Sequence, residues 1–210
     1  PPFESLLVAP LMGLPYAVPF ALWTAIELLA LALSLWLLAR ATGVPAPARW
    51  LLIAAACAYQ PFHGVLLTGQ SSPLVLLGFC AVYAALRAGR EWWAGVGLAV
   101  VLLKPQHAVL ITLLLLLHRH WKPLVAAAGI WLAASVAVMP IIGADWPLRY
   151  ARYLAGSTSW GTERFEYPQG MYNWRGLIIH LLGGEITPPG APLTYALSAL
   201  SVGLVFLAWW

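Results

Sequence analysis

Charge is the scarcest property of this sequence. Eleven Lys and Arg and seven Asp and Glu are spread over 210 residues, so charged side chains make up 9% of the chain. Soluble domains carry about 25%, and a chain so poor in charge cannot clothe a globular surface in water. Aspartate occurs once, at Asp145. The metal-chelating D-x-D pair that holds Mg²⁺ on nucleotide-sugar donors therefore cannot be built from it, and no metal site is expected. Cysteine occurs twice, at Cys57 and Cys80, each inside an apolar run. Two isolated thiols make no zinc site, and both read as small buried apolar residues. There is no Walker loop, GxGxxG, HExxH or CxxC. ATP hydrolysis, dinucleotide redox chemistry and zinc proteolysis are thus without support. No exposed basic face is available, so nucleic acid is not an expected partner.

What fills the chain instead is hydrophobicity. Apolar residues make up 62% of it, mean hydropathy is +0.83, and long apolar runs recur from end to end. Runs of this kind belong in a bilayer. They do not alternate apolar with polar, as barrel strands do. The expected fold is all-α: a polytopic integral membrane helix bundle with broken or re-entrant helices and an outer-face loop carrying interfacial helices. The chain opens on Pro1-Pro-Phe-Glu without a methionine or signal-peptide pattern, and it ends inside an apolar run at Trp209-Trp210. It reads as one transmembrane-domain fragment, residues 1–210, of a longer membrane protein.

Along the chain, residues 2–14 form a short apolar piece at an interface. Residues 15–39 make the first convincing span. A basic, Pro-rich turn follows (40–49), then a second span (50–67) disturbed by Pro61 and Gly64. "GQSSP" (69–73) is a polar turn in which Ser71 or Ser72 can cap the third span, 73–86. "RAGRE" is a tight charged turn. The run 92–117 is long enough for one tilted span, but Lys104-Pro105 divides it. A residue before proline is pushed out of helical geometry. Each half has about 12 residues, or ~18 Å at 1.5 Å per residue, short of a ~30 Å hydrocarbon core. One kinked span and a hairpin that enters and returns both remain open.

Charge placement favours the hairpin. With it, Arg40, Arg49, Arg87, Arg90, Arg119 and Lys122 share one side with Glu91 as the only acid. The other side holds Arg149, Arg152, Arg164 and Arg175 against Glu4, Asp145, Glu163, Glu166 and Glu185. That asymmetry obeys the positive-inside rule, and a single span would blur it. Residues 124–142 then rise outward, 143–192 form a long outer-face loop, and 193–210 begin a return. "WPLRYARYL" and "YNWRGLIIHLL" mix aromatics, arginines and leucines as interfacial helices do.

With this topology "GQSSP", "KPQH" and the 162–175 loop all face outward. Polar groups at membrane depth are tolerated when buried in protein or lining a wet cavity, and one shared cavity would satisfy all three. The plainer readings stand beside it. Lys104 can snorkel along a kinked helix, and Gln70 can hydrogen-bond a helix end. His107 and His63 can be structural histidines. Glu163, Arg164 and Glu166 can form a solvated loop face. Glu27, deep in the first span, faces the bundle interior as a neutral or hydrogen-bonded acid.

Several stretches carry a resemblance: the opening "PPFESLLVAPLMGLPYAVPFALW", the G-Q-x-x-P turn, the R-x-G-R turn followed by W-x-A-G, and K-P-Q before a leucine-rich half-helix that ends in basic residues. In their order and spacing over residues 1 to about 142, they are similar to glycosyltransferase family 87. These are bacterial membrane enzymes of the GT-C superfamily, related to polyprenol-phosphate-mannose-dependent mannosyltransferases. The resemblance implies transfer of a hexose, mannose in the first instance, from a polyprenyl-phosphate donor to a glycolipid or polysaccharide acceptor. The work would take place on the outer face of the bacterial plasma membrane, with no cofactor beyond the lipid-linked donor.

A lipid-phosphate leaving group needs a cation. Lys104 is the first choice, and Arg164 and Arg175 follow. Gln70 and Gln106 suit phosphate or sugar hydroxyls, with His107 beside them. The family's acidic base lies in an outer loop that would precede Pro1, so Glu163, Glu166 and Asp145 are only substitutes for it. The rival class is a multi-pass transporter or flippase, in which Glu27 and Lys104 would carry protons or bind substrate.

Overall fold

The apolar runs fold as helices broken where proline, glycine and charge dictate. The computed structural model describes residues 9–11, 13–157, 177–178, 181 and 190–209. Among these residues all regular structure is helical. They fall into two compact units, Pro1–Trp146 and Pro147–Trp210.

In the first unit, a 3₁₀ turn at Ala9–Leu11 precedes α1 (Ala17–Thr42). At 26 residues, α1 extends about 39 Å, enough to cross the ~30 Å core with tilt. α2 (Ala46–Ala58) and α3 (Gln60–Thr68) follow, bent by 57° where Pro61 interrupts the run. The freed Cys57 carbonyl there accepts a hydrogen bond from the His63 ring at 2.9 Å, which is the structural role expected of His63. α4 (Ser72–Arg87), α5 (Glu91–Val101), α6 (Pro105–Leu117) and α7 (Trp121–Ile142) complete the unit. Among the described residues, α1 and α7 are each long and apolar enough to cross a membrane, and the bent α2–α3 pair would make a third. α4, α5 and α6 are apolar but shorter.

Contacts fix the direction of each helix. The Trp23 indole N–H donates to the Gly69 carbonyl at 3.0 Å, and Cys80 lies against Ser34. The pairs 23/69 and 34/80 advance together, so α1 and α4 run parallel. Gly78 meets Gly97 and Val101, while Gly97 meets Gly78 and Val82; α4 and α5 are antiparallel. Gly95 packs on Pro123 and Ala126, and the Trp131 indole N–H donates to the Ala99 carbonyl at 2.9 Å. α5 and α7 are therefore parallel.

Because α5 and α7 lie side by side and point the same way, the chain between them must turn back, and α6 is that return. Its far end is tied to the start of α5: Glu91 takes hydrogen bonds from His120 at 2.8 Å and from Lys122 at 2.9 Å. Residues 91–120 thus form a helical hairpin rather than a single kinked span.

The break has its local cause in Lys104, with φ −119° and ψ 87°. That extended geometry is imposed by Pro105, which then takes the first position of α6, where its missing N–H costs nothing.

Close approach between helices rests on small residues, as it does in lipid-embedded proteins. A Cβ on Gly97 would sit 2.8 Å from the Gly78 carbonyl oxygen and 2.8 Å from the Val82 nitrogen. Around this contact Val75, Val82, Leu98, Val101, Ile111 and Leu115 form the core. α1 turns Glu27, Ala30 and Ser34 inward and leaves Leu22, Ile26, Leu29, Leu33 and Trp36 exposed.

Two sequence expectations are corrected. Cys57 is exposed on α2, whereas Cys80 is buried as expected. The α2 helix contributes no buried residue to the core, so its apolar surface faces outward. Ser71 occupies the N-cap position of α4 without a side-chain capping bond, and Ser72 is engaged elsewhere, as described below.

In the second unit, α8 (Trp146–Ser157, beginning on the last residue of the first unit) forms over the interfacial segment "WPLRYARYL" as the sequence implies. α9 (Gly190–Trp209) is apolar. Its Ser198 and Ser201 hydroxyls donate to the Thr194 and Leu197 carbonyls at 2.8 and 2.9 Å, which satisfies them inside their own helix.

Candidate functional site

The helix directions sort the turns of the first unit into two layers. One layer holds the turns after α1, α4 and α6, and with them Arg40, Arg49, Arg87, Arg90, Arg119, Lys122 and Glu91. The opposite layer holds the early part of α1, the 69–71 turn and the 102–104 break. This Lys104 end is where the candidate site is assembled.

Lys104 sits between two half-helices, partly buried, and its Nζ donates to Ser72 Oγ at 2.7 Å. Ser72 is there because Gly69, at φ +64°, ends α3 in a left-handed turn that swings the chain onto α4. The Trp23–Gly69 bond clips α1 to the same turn. One helical turn further along α1 comes Glu27, which is fully buried. Among the described residues neither of its carboxylate oxygens has a hydrogen-bond partner, and the buried Thr24 hydroxyl also lacks one. The Trp23 side chain lies toward Glu27, but its N–H is already given to Gly69. Lys104 is within electrostatic range of Glu27 and of His107.

The other sequence candidates fall as follows. Gln70 is exposed in the turn beside Gly69, while Gln106 and His107 are exposed in the first turn of α6. All three share the Lys104 end. The backbone N–H of His107 donates to the Lys104 carbonyl at 2.9 Å. Asp145 is exposed beyond the end of α7, on the Lys104 side. Glu163, Arg164, Glu166 and Arg175 lie outside the described residues.

Sequence reasoning missed Ser72 as a partner of Lys104 and Trp23 as the clip. It placed Glu27 in the interior without connecting it to Lys104. The spacing Trp23-x-x-x-Glu27, one turn apart on one face, was the available signal. An apolar groove of about 310 Å³ between α1 and α2, lined by Leu28, Leu35, Arg49, Ile53 and Cys57 among others, contains none of these residues. No group of His, Cys, Asp and Glu suited to a metal ion occurs among the described residues.

An all-helical membrane protein with a returning half-helix pair and a cation at the break is thereby defined. Over residues 1–210 the chain matches glycosyltransferase family 87, and it belongs to that family. It is 33% identical over 150 residues to an alpha-(1->3)-arabinofuranosyltransferase of Mycobacterium tuberculosis strain CDC 1551 / Oshkosh, a match covering 68% of this chain and 34% of the relative. The protein of that name in strain ATCC 25618 / H37Rv matches identically. The chain spans about a third of the length of these curated relatives. No solved structure matches it.

Proposed function

We propose that this chain is the donor-side part of a membrane glycosyltransferase that takes a sugar from a polyprenyl phosphate and passes it to a glycolipid or glycan acceptor. The site would open on the outer face of a bacterial plasma membrane. One observation carries the reading: an ammonium group at a helix break, held by a serine hydroxyl, in the layer opposite the arginine-rich turns.

In the transfer, the acceptor hydroxyl oxygen bonds to the anomeric carbon as the bond from that carbon to the phosphate oxygen breaks. Polyprenyl phosphate leaves with the electron pair, and a carboxylate takes the hydroxyl proton. Lys104 would stabilise the charge that develops on the departing phosphate. Ser72, which accepts a hydrogen bond from Lys104 through its oxygen, keeps its own proton to donate to a phosphate oxygen. Gln70, Gln106 and His107 ring the same end and suit sugar hydroxyls. The base is assigned to the family's acidic loop residue rather than to Asp145, Glu163 or Glu166. No metal is assigned a role, since the single aspartate cannot form a D-x-D pair.

The sugar is a hexose, mannose first, on the family resemblance. The name of the mycobacterial relatives favours arabinofuranose as the second reading. Parallel assays with polyprenyl-phosphate mannose and polyprenyl-phosphate arabinofuranose separate the two.

The role of Lys104 is tested in the full-length protein. Lys104→Ala should lower transfer about 100-fold or more, in the range seen when a charge-stabilising donor is removed, with expression and membrane insertion intact. Lys104→Arg should keep part of the activity. Transfer at the wild-type rate by Lys104→Ala would overturn the proposal.

A further inference from the structure

α1 ends at Gly43, in a left-handed turn at φ +71°, and α2 runs back beside it from Ala46. Two helices in lipid close on each other through small residues. Here Leu28, Leu35 and Trp36 face Leu52 and Ile53, and an apolar groove of about 310 Å³ stays open between the helices. One end of it is charged. Among the described residues that line the groove, Arg49 alone carries a charge. Its Nε donates to the Val44 carbonyl at 3.1 Å, which holds the guanidinium at the α1–α2 turn. The two Nη groups are then the part that can meet a phosphate in the two-pronged way a guanidinium does. Trp36, on the groove wall, carries a second guanidinium, that of Arg40, 5.5 Å from its ring. Trp50 is exposed beside Arg49, as tryptophans at the headgroup level are. Glu91, the acid of this layer, is already taken by His120 and Lys122.

The depth of the groove matches one leaflet. Along α1 it runs from Ala39 back to Leu28, or about 16 Å at 1.5 Å per residue. Half of a ~30 Å hydrocarbon core is about 15 Å. The groove therefore starts where headgroups lie and stops near the bilayer midplane, the reach of one acyl chain. We propose that the α1–α2 groove binds one anionic phospholipid of the leaflet at the arginine-rich end, with an acyl chain along the groove and the headgroup phosphate on Arg49 and Arg40. A donor whose phosphate sits at the Lys104 end would enter from the opposite layer, so this lipid is not the donor. The proposal does not depend on the role of Lys104.

The test reconstitutes the full-length protein in vesicles of phosphatidylglycerol and phosphatidylcholine, one of which carries a photoreactive diazirine on an acyl chain. With the diazirine at the chain terminus, phosphatidylglycerol should label the deep end of the groove, residues 28–32 and 56–57. With the diazirine next to the glycerol, labelling should move to residues 36–40 and 49. Phosphatidylcholine should label the groove about fivefold less, the effect of about one arginine on an anionic lipid. Arg49→Gln should bring phosphatidylglycerol down to that level. Arg119→Gln, which removes an arginine of the same layer outside the groove, should leave labelling unchanged. If Arg49→Gln fails to accumulate, Ala56→Phe, which fills the groove, should abolish labelling at residues 28–32 and spare the exposed Leu132 of α7. Equal labelling by the two lipids, or the reverse order of depth, would overturn the proposal. So would an unlabelled groove in the folded protein, since another segment of the chain would then cover it. Labelling by a photoreactive polyprenyl phosphate that excess phosphatidylglycerol does not displace would assign the groove to the donor's tail and overturn the proposal as well.

Discussion

At the scale of single residues, the two ends of the helical hairpin are held by different chemistry. At the break, Lys104 donates to the neutral hydroxyl of Ser72. At the closed end, Glu91 gathers His120 and Lys122 at 2.8 and 2.9 Å in a partly exposed turn. Hydrogen bonds from Lys122 first and His120 second hold the Glu91 carboxyl below its ordinary value of 4.5. A carboxylate whose folded value is depressed stabilises the fold above its unfolded value, and that contribution is lost as pH falls through the folded value. The clamp should therefore be intact at neutral pH and release only as pH falls below the usual glutamate range. Thermal unfolding in detergent should show a larger drop in Tm between pH 6 and pH 3 for the wild type than for Glu91→Gln. Equal drops would show that the clamp contributes nothing.

The same turn carries Arg119 at φ +58°. The His120 N–H bonds the Leu115 carbonyl and the Arg119 N–H bonds that of Leu116. These are the paired bonds of a Schellman end, whose left-handed position is usually glycine. The corresponding turn after α4 does place glycine there, Gly89 at φ +67°. Retention of an arginine in strained backbone adds a positive charge to the arginine layer.

At the scale of elements, packing is governed by what is small. α4 and α5 meet at Gly78 and Gly97 with no room for a methyl group, because the obstructing atoms are backbone. Gly129 on α7, by contrast, has nothing within 4 Å of where its Cβ would be. Gly97→Val should destabilise the protein by about 1–3 kcal/mol, the usual cost of overpacking. Gly129→Ala should be neutral or stabilising by up to about 1 kcal/mol through helix propensity. Thermal shift of the purified pair in one detergent decides this; equal stabilities would refute the close packing of α4 on α5.

Most helix boundaries were legible at this scale, because proline and charge mark them. Pro61, Pro73 and Pro105 each fall within the first two residues of a helix. Which face of each helix points inward was not legible. Hydrophobic periodicity says little when both lipid and core are apolar. Cys57 and Cys80 illustrate it: both stand in greasy sequence, yet one is exposed and the other buried.

At the scale of the whole molecule, the layering of charge is the main result. The arginine-rich turns gather at one end of the first unit and Lys104 at the other, which the positive-inside rule converts into an orientation. In a Cys57→Ser background, Arg119→Cys should react with a membrane-impermeant maleimide only after the inner face is made accessible. Gln70→Cys should react in intact cells. The reverse pattern would invert the orientation and place the Lys104 site on the cytoplasmic side.

The amino-acid sequence by itself determined the solvent, the helical class and the break at Lys104-Pro105. Those follow from composition and from local backbone sterics, which act within a few residues. It also carried the charge asymmetry that makes a returning hairpin preferable. Only the tertiary structure decided that the hairpin closes through Glu91, that Ser72 binds Lys104 instead of capping its helix, and that Glu27 comes within electrostatic range of Lys104. The two hydrogen bonds join residues 29 and 32 positions apart. Their partners are selected by helix direction and by glycine-permitted approach, neither of which a local pattern contains.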